Sequence, residues 1–366
     1  MLRYLPLVLA LTGICATAQP VAKKTSAVST AAPASAAASN VPAPFNKQGS
    51  ALAIVPAIHN AGRLVCGVVE ATDDWDGQGE HGDLSSLGKG FCEAVAVAVL
   101  GPKAPVEVRT FPAEAEALQA LKDLQVHLVV GLSPSAEAAM QYGVTFGHPV
   151  FYDTQRFMVP AAAHFKTVED LRDNLICAMN LTPAEQRLRD YMSDRKITYG
   201  LQAHSEQGEM DASVAVAHCA AGTAMESRLA ESRADFPASA PEFVFLPERF
   251  GLEPVAPAYH SGDPQFALLV DMTLSALVEA EALGITQGNV NDATRRTDLA
   301  ARRLLGSDRS VGQALGLSSD WAVPVIAAVG NYGELYDRTL GKSYHLERGP
   351  NALWTGGGIM SPSPLQ

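Results

Sequence analysis

The 366-residue chain predicts an α/β fold whose sheets are mainly parallel, for two reasons. Short apolar runs alternate with helix-length patterns, the mark of βαβ units in which crossover helices cover a parallel sheet. With an N-terminal leader and tether set aside, roughly 310 residues remain, room for two lobes of ordinary domain size.

The strand candidates are 64–69, 106–111, 126–131, 175–179, 197–201, 219–224 and 243–246. The helix candidates between them are 90–100, 114–124, 167–173, 184–194, 208–217 and 263–283. Thr182 followed by Pro183 reads as a helix start, because the hydroxyl can cap free backbone donors and proline has none to lose. Thr167 and Asp170 read the same way. The last part predicts a helical extension, with helices at 291–304, 310–315 and 319–337, ending in a Gly- and Pro-rich loop.

Residues 1–18 carry a secretion pattern. Arg3 precedes an apolar run from Tyr4 to Cys15, and Ala16-Thr17-Ala18 supplies small residues for cleavage after Ala18. The run is shorter than the ~20 residues a membrane span needs. Cys15 follows Ile14, where lipid attachment favours a small residue. Residues 19–50 are rich in Ala, Ser and Pro and read as a disordered tether. The expected location is the periplasm.

The formal net charge of −12 argues against nucleic acid or an anionic membrane as the main partner. Five cysteines become four after cleavage, and an even count in an oxidising compartment reads as disulfides. Three pairings are possible. Cys66 lies in a strand pattern and Cys92 in the helix after it, so packing of the two favours Cys66–Cys92. Cys177 and Cys219 sit in or beside strand-like runs of one small sheet, which favours Cys177–Cys219. Free buried cysteines are the alternative.

Motifs for catalysis are nearly absent. The chain has no H-E-x-x-H, C-x-x-C or G-x-S-x-G. Ser86-Leu87-Gly88-Lys89 fits S-x-x-K, but the K-T-G partner is missing. The nine histidines are scattered, with none paired at helical spacing, so no metal site, cofactor or catalytic residue is expected. Asp73-Asp74-Trp75-Asp76 reads as a solvated turn or a pocket edge.

From about residue 58 to the end, the chain resembles the general L-amino-acid binding proteins of polar amino-acid ABC transporters, which are type II periplasmic binding proteins (family 3 solute-binding proteins). Residues 62–68, Gly-Arg-Leu-Val-Cys-Gly-Val, resemble the family's first strand, and residues 91–101 its first helix. Residues 151–153 and 157–160 resemble its crossover segment. Runs at 279–286, 303–306, 314–317, 329–334 and 346–354 follow in the family's order, and the cysteine positions agree.

The resemblance implies two lobes, 58–158 with 255–366 and 159–254, that close on a small ligand and deliver it to an inner-membrane ABC permease. It implies a monomer, without cofactor, metal or enzymatic activity, and an amino acid as ligand. A zwitterion needs a partner for each charge, since an unpaired buried charge is costly. In the family an Arg after the third strand grips the carboxylate, a Thr-capped helix assists, an acid in lobe two holds the ammonium and an aromatic packs on the ligand. Here the first position reads Val129-Val130-Gly131-Leu132-Ser133-Pro134-Ser135, without Arg. Trp75, Ser133, Ser135, Thr182 and Glu226 are the expected ligand contacts, with Arg228 a candidate for the missing guanidinium. The alternative is a scaffold paralogue that has lost amino-acid binding and serves another ligand or an envelope protein.

Overall fold

The computed structural model describes residues 52–70, 81–308 and 311–364. The leader, the tether and Trp75 lie outside them. Among the described residues, no helix is long and apolar enough to cross a membrane.

The chain enters through α1 (Ile54–Ala61) and β1 (Leu64–Val69), then α2 (Ser85–Leu100), β2 (Val106–Phe111), α3 (Glu114–Lys122), β3 (Leu128–Leu132), α4 (Ala136–Tyr142) and β4 (Val144–Phe146). The first crossing strand, β5 (Phe151–Pro160), leads to β6 (Leu175–Met179), α5 (Pro183–Asp194), β7 (Gly200–His204), α6 (Gln207–Ala215), β8 (Ala221–Met225), α7 (Glu226–Asp235) and β9 (Phe243–Phe245). The second, β10 (Phe250–His260), returns to α8 (Pro264–Ala282). Among the described residues, six short helices follow: α9 (Val290–Ala293), α10 (Leu299–Leu304), α11 (Gly312–Leu315), α12 (Ala322–Val329), α13 (Tyr332–Tyr336) and α14 (Lys342–Tyr344).

The strand order is β2-β1-β3-β10-β5-β8-β6-β7, with β4 added on β10 and β9 on β5. Pairing is parallel within each half, β2-β1-β3 and β7-β6-β8. It is antiparallel wherever β5 or β10 takes part. The sheets are therefore mixed. The continuous apolar β1, Leu-Val-Cys-Gly-Val-Val, is buried on both faces, as a covered parallel strand should be.

Each half has its own apolar core. The larger one, on the first half, packs α2, α8 and the C-terminal helices over β1 and β3. One core of the second half centres on Phe157, Leu188, Met192 and Phe250. Asp263 caps α8, its Oδ1 accepting from Phe266 N at 2.9 Å while Oδ2 accepts from Ile54 N at 2.7 Å. One carboxylate thus starts a buried helix and pins α1 to it.

Several boundaries differ from the sequence reading. The first long helix begins at Ser85, not at 90, although Gly88 and Gly90 lie in it. A Cβ on Gly88 would come within 3.1 Å of Val68, and one on Gly90 would clash with Leu335. These glycines serve close packing against β1 and α13. The stretch 291–304 breaks because Asp298 caps a fresh helix through Ala301 N. The stretch 319–337 breaks at Gly330 (φ +77°), and Asn331 with Glu334 forms a reciprocal capping box that starts α13. The 197–201 strand slides to 200–204, and 167–173 contracts to a 3₁₀ turn over Val168–Leu171.

Disulfides join Cys66 to Cys92 and Cys177 to Cys219, with Cα atoms 6.0 and 5.7 Å apart. The first ties β1 to α2, and the second ties β6 to the residues leading into β8. Closing loops of this size restricts the unfolded chain by about 3–4 kcal/mol each. Replacing Cys177 and Cys219 together by Ala should lower unfolding stability by about 2–4 kcal/mol in urea, and a non-reducing peptide map should recover both pairs unmixed.

His127 is buried before β3, its Nδ1 accepting from Val65 N at 3.0 Å. Burial, then the charges of Arg63 and Arg109, pushes its pKa down to about 4. Its neutral form is the folded form, so the stability it contributes is intact above the ordinary value near 6.5 and is lost as pH falls towards 4. Between pH 7 and about 4.5 the wild type should lose about 2 kcal/mol more than His127→Gln in denaturant titrations; equal losses would remove His127 from the account.

Candidate functional site

In open α/β sheets ligands bind outside the carboxyl ends of the parallel strands, and here β5 and β10 join the two parallel sets of strands. At this crossing Asp153 of β5 stands directly opposite Glu253 of β10. Like charges so placed repel, and each half supplies a counter-charge. His81, beyond the end of β1, places Nδ1 2.8 Å from Asp153 Oδ2 and Nε2 3.8 Å from Glu253 Oε2. Arg187, on the second turn of α5, pairs through Nη1 with Glu253 and donates Nε to Gln155 Oε1 at 2.9 Å. Burial by itself lowers the His81 pKa, but the hydrogen bond and charge of Asp153, joined by Glu253 and Glu114, turn the net shift upward.

Asp153 is held further by the second half. Its Oδ1 accepts from Thr154 N at 2.9 Å and from Ser227 N at 3.2 Å, and Oδ2 accepts from the Ser227 hydroxyl. The residues after His81 are stitched to the same helix. Gly82 N donates to Ser227 Oγ at 2.8 Å, Asp83 N to Glu231 Oε2 at 3.2 Å, and Arg228 Nη2 to His81 O at 2.6 Å. A Cβ on Gly82 would lie 2.5 Å from Ser227 O, so only glycine allows this approach. Residues 81–83 of the first half thus form a seam with the start of α7 of the second.

The expected contacts divide between this crossing and other duties. Ser133 joins it, its hydroxyl 3.2 Å from His81 Nε2 and its N–H donating to Glu114 Oε1 at 3.2 Å. Burial raises the Glu114 pKa against that hydrogen bond. Ser135 is exposed and caps α4 through Ala138 N. Thr182 caps α5, accepting from Glu185 N at 3.2 Å, while Glu185 reaches back to Leu181 N at 2.7 Å. The start of α5 is therefore already met by its own carboxylate. Arg228 engages His81 O and Glu231, not an open crevice.

Glu226, expected at a ligand ammonium, turns instead into a buried ion-pair triad. Arg156 Nη1 lies 2.5 Å from Oε1, Arg249 Nε 3.1 Å from Oε2, and Thr154 Oγ1 donates to Oε2 at 3.0 Å. Removing one partner of a buried pair strands the other charge. Glu226→Ala should therefore destabilise by about 3–5 kcal/mol in denaturant titrations; a change within error would show that Arg156 finds compensation elsewhere. An open groove of about 600 Å³ beside this triad runs between β10 and the loop 349–359, and Thr154 and Arg249, which line it, both donate to Glu226.

His81, Asp153, Arg187 and Glu253 meet at the crossing and escape sequence reading. They come from four separate elements and share no spacing. Among the described residues, no group of three or more His, Cys, Asp or Glu is placed to hold a metal. What the crossing can do is present one guanidinium and several carboxylates to a small charged molecule.

No protein-family model matches the chain. It is 32% identical over 311 residues to the general L-amino acid-binding periplasmic protein AapJ of Rhizobium johnstonii, covering 83% of this chain and 90% of that protein. It is 32% identical over 310 residues to the glutamate/glutamine/aspartate/asparagine-binding protein BztA of Rhodobacter capsulatus, covering 83% and 91%. Among solved structures it is similar to an ABC transporter periplasmic binding protein from Brucella ovis with glutathione bound, at TM-score 0.67 and 29% identity, over 86% of this chain and 99% of that one.

Proposed function

We propose a ligand class and a mode of action for this chain, which belongs to the family of periplasmic binding proteins of amino-acid ABC transporters. It is the solute-binding component of such a transporter, a binding protein and not an enzyme. Its partners are a small ligand and a membrane permease.

Residues 1–18 act as the export signal, cleaved after Ala18, and 19–50 as the tether. The mature protein works as a monomer. Its lobes are 58–158 with 255–366, and 159–254, hinged on β5 and β10. Each disulfide stays within one lobe and leaves closure free.

The ligand carries a free α-amino acid group. The relationship over nine-tenths of two amino-acid-binding proteins carries this reading. A second reading, glutathione, draws on the Brucella protein and on the absence of an Arg after β3, which leaves that end of the crevice less committed to a short amino acid. The γ-glutamyl end of glutathione keeps a free α-amino acid group, so both ligands present the same zwitterion. Calorimetric titration of the mature protein with the twenty amino acids and reduced glutathione should give saturable binding at about micromolar Kd for at least one of them. Flat titrations of folded protein across the panel would favour a scaffold that serves another ligand or an envelope partner.

A further inference from the structure

The missing Arg after β3 leaves the ligand carboxylate without its expected partner, and Arg228 is committed to the seam. We infer that the Arg187–Glu253 ion pair is a latent receptor for the zwitterion: a ligand enters between the two side chains, its α-carboxylate taking Arg187 and its α-ammonium taking Glu253. This rests on the reading of the ligand as a free α-amino acid group.

Four observations carry it. The pair is partly exposed. Side-chain exposures are 22% for Arg187 and 25% for Glu253, against 5% and 6% for the structural pair Arg156–Glu226. It joins separate elements, since Arg187 stands on the helix capped by Thr182 and touches Met225 at the end of β8, where Nη2 lies 3.4 Å from Sδ, while Glu253 stands on β10. Its guanidinium is aimed by fixed neighbours. Gln155 accepts from Nε, and Gly251 (φ +62°) lets the Arg187 stem lie against β10, where a Cβ would come within 2.7 Å of Cδ. Last, Glu253 faces Asp153 across the ladder, with Glu114 nearby and His81 Nε2 at 3.8 Å, so it keeps a need for a cation that a ligand ammonium can meet in place of Arg187.

Opening the pair uncovers two charges, and the zwitterion meets both, so neither is left unpaired. Two charge-assisted contacts form in its place. Charge balances at each end, because one carboxylate replaces another at Arg187 and one cation replaces another at Glu253. A guanidinium presents a fork to the carboxylate, which an ammonium cannot.

The test uses the mature protein with L-glutamine and reduced glutathione, together with L-glutamine α-amide and N-acetyl-L-glutamine as probes lacking one charge each. Arg187→Met should weaken binding of the parent ligand by roughly 10- to 100-fold, and Arg187→Lys should fall between it and the wild type. The wild type should discriminate against the α-amide, and Arg187→Met should lose that discrimination. Glu253→Gln should likewise lose discrimination against the N-acetyl compound. Unchanged discrimination in both folded variants, with the wild type binding, would overturn the assignment while leaving the transporter reading intact. No binding by the wild type of any panel ligand would overturn the ligand reading, and this inference with it.

Discussion

Asp153 and Glu253 face each other where two antiparallel strands carry the chain between its halves. Such a juxtaposition is unfavourable unless cations stand beside it. The fold meets that demand from both sides: His81 follows β1 of the first half, and Arg187 projects from α5 of the second. The crossing is therefore where the halves are electrostatically tied, and any charged molecule entering there acts on a balance that already exists.

The rest of β5 follows the same logic. Residues 153–156, Asp-Thr-Gln-Arg, are buried polar side chains in the middle of a sheet. Buried polar groups must be hydrogen-bonded or they cost stability. Gln155 donates to Ala184 O and to Thr223 Oγ1, Arg156 donates to Leu246 O and Glu226, and Asn351 holds the backbone of Tyr152 with both ends of its amide. The C-terminal segment is thus part of the crossing. Arg233 reaches the carbonyls of Tyr344 and His345, and Glu347 pairs with Arg249. The disulfides, by contrast, brace strands and helices inside each half. Covalent ties lie within the halves, and the ties between residues 81–83 and α7 are hydrogen bonds.

Some residues aligned with the family's ligand grip are engaged within this chain. Thr182 keeps its cap, yet Glu185 occupies the helix start, and Glu226 is consumed by two arginines. Ser133, by contrast, stands at the crossing beside His81. Asp153, Glu253, Arg187 and His81 meet at the crossing strands, with Arg187 one turn along α5. One-to-one transfer of contacts misses them, because burial and pairing, not alignment, decide which carboxylate is open to a ligand.

By itself the sequence determined the α/β class, the positions of β1, β2 and β6, the capped start of α5, and the full-length family resemblance. These rest on local rules: unbroken apolar runs, helix-length periodicity and cap residues act over a few positions. Only the tertiary structure decided that β5 and β10 are strands. Pro254 and Pro257 interrupt one, buried polar residues fill the other, and neither shows an alternating pattern. It also decided that Gly88 and Gly90 belong inside a helix, where close packing outweighs their propensity. Above all, it placed His81, Asp153, Arg187 and Glu253 together. Their charges matter only through distances set when separate elements meet, and no spacing along the chain encodes those distances.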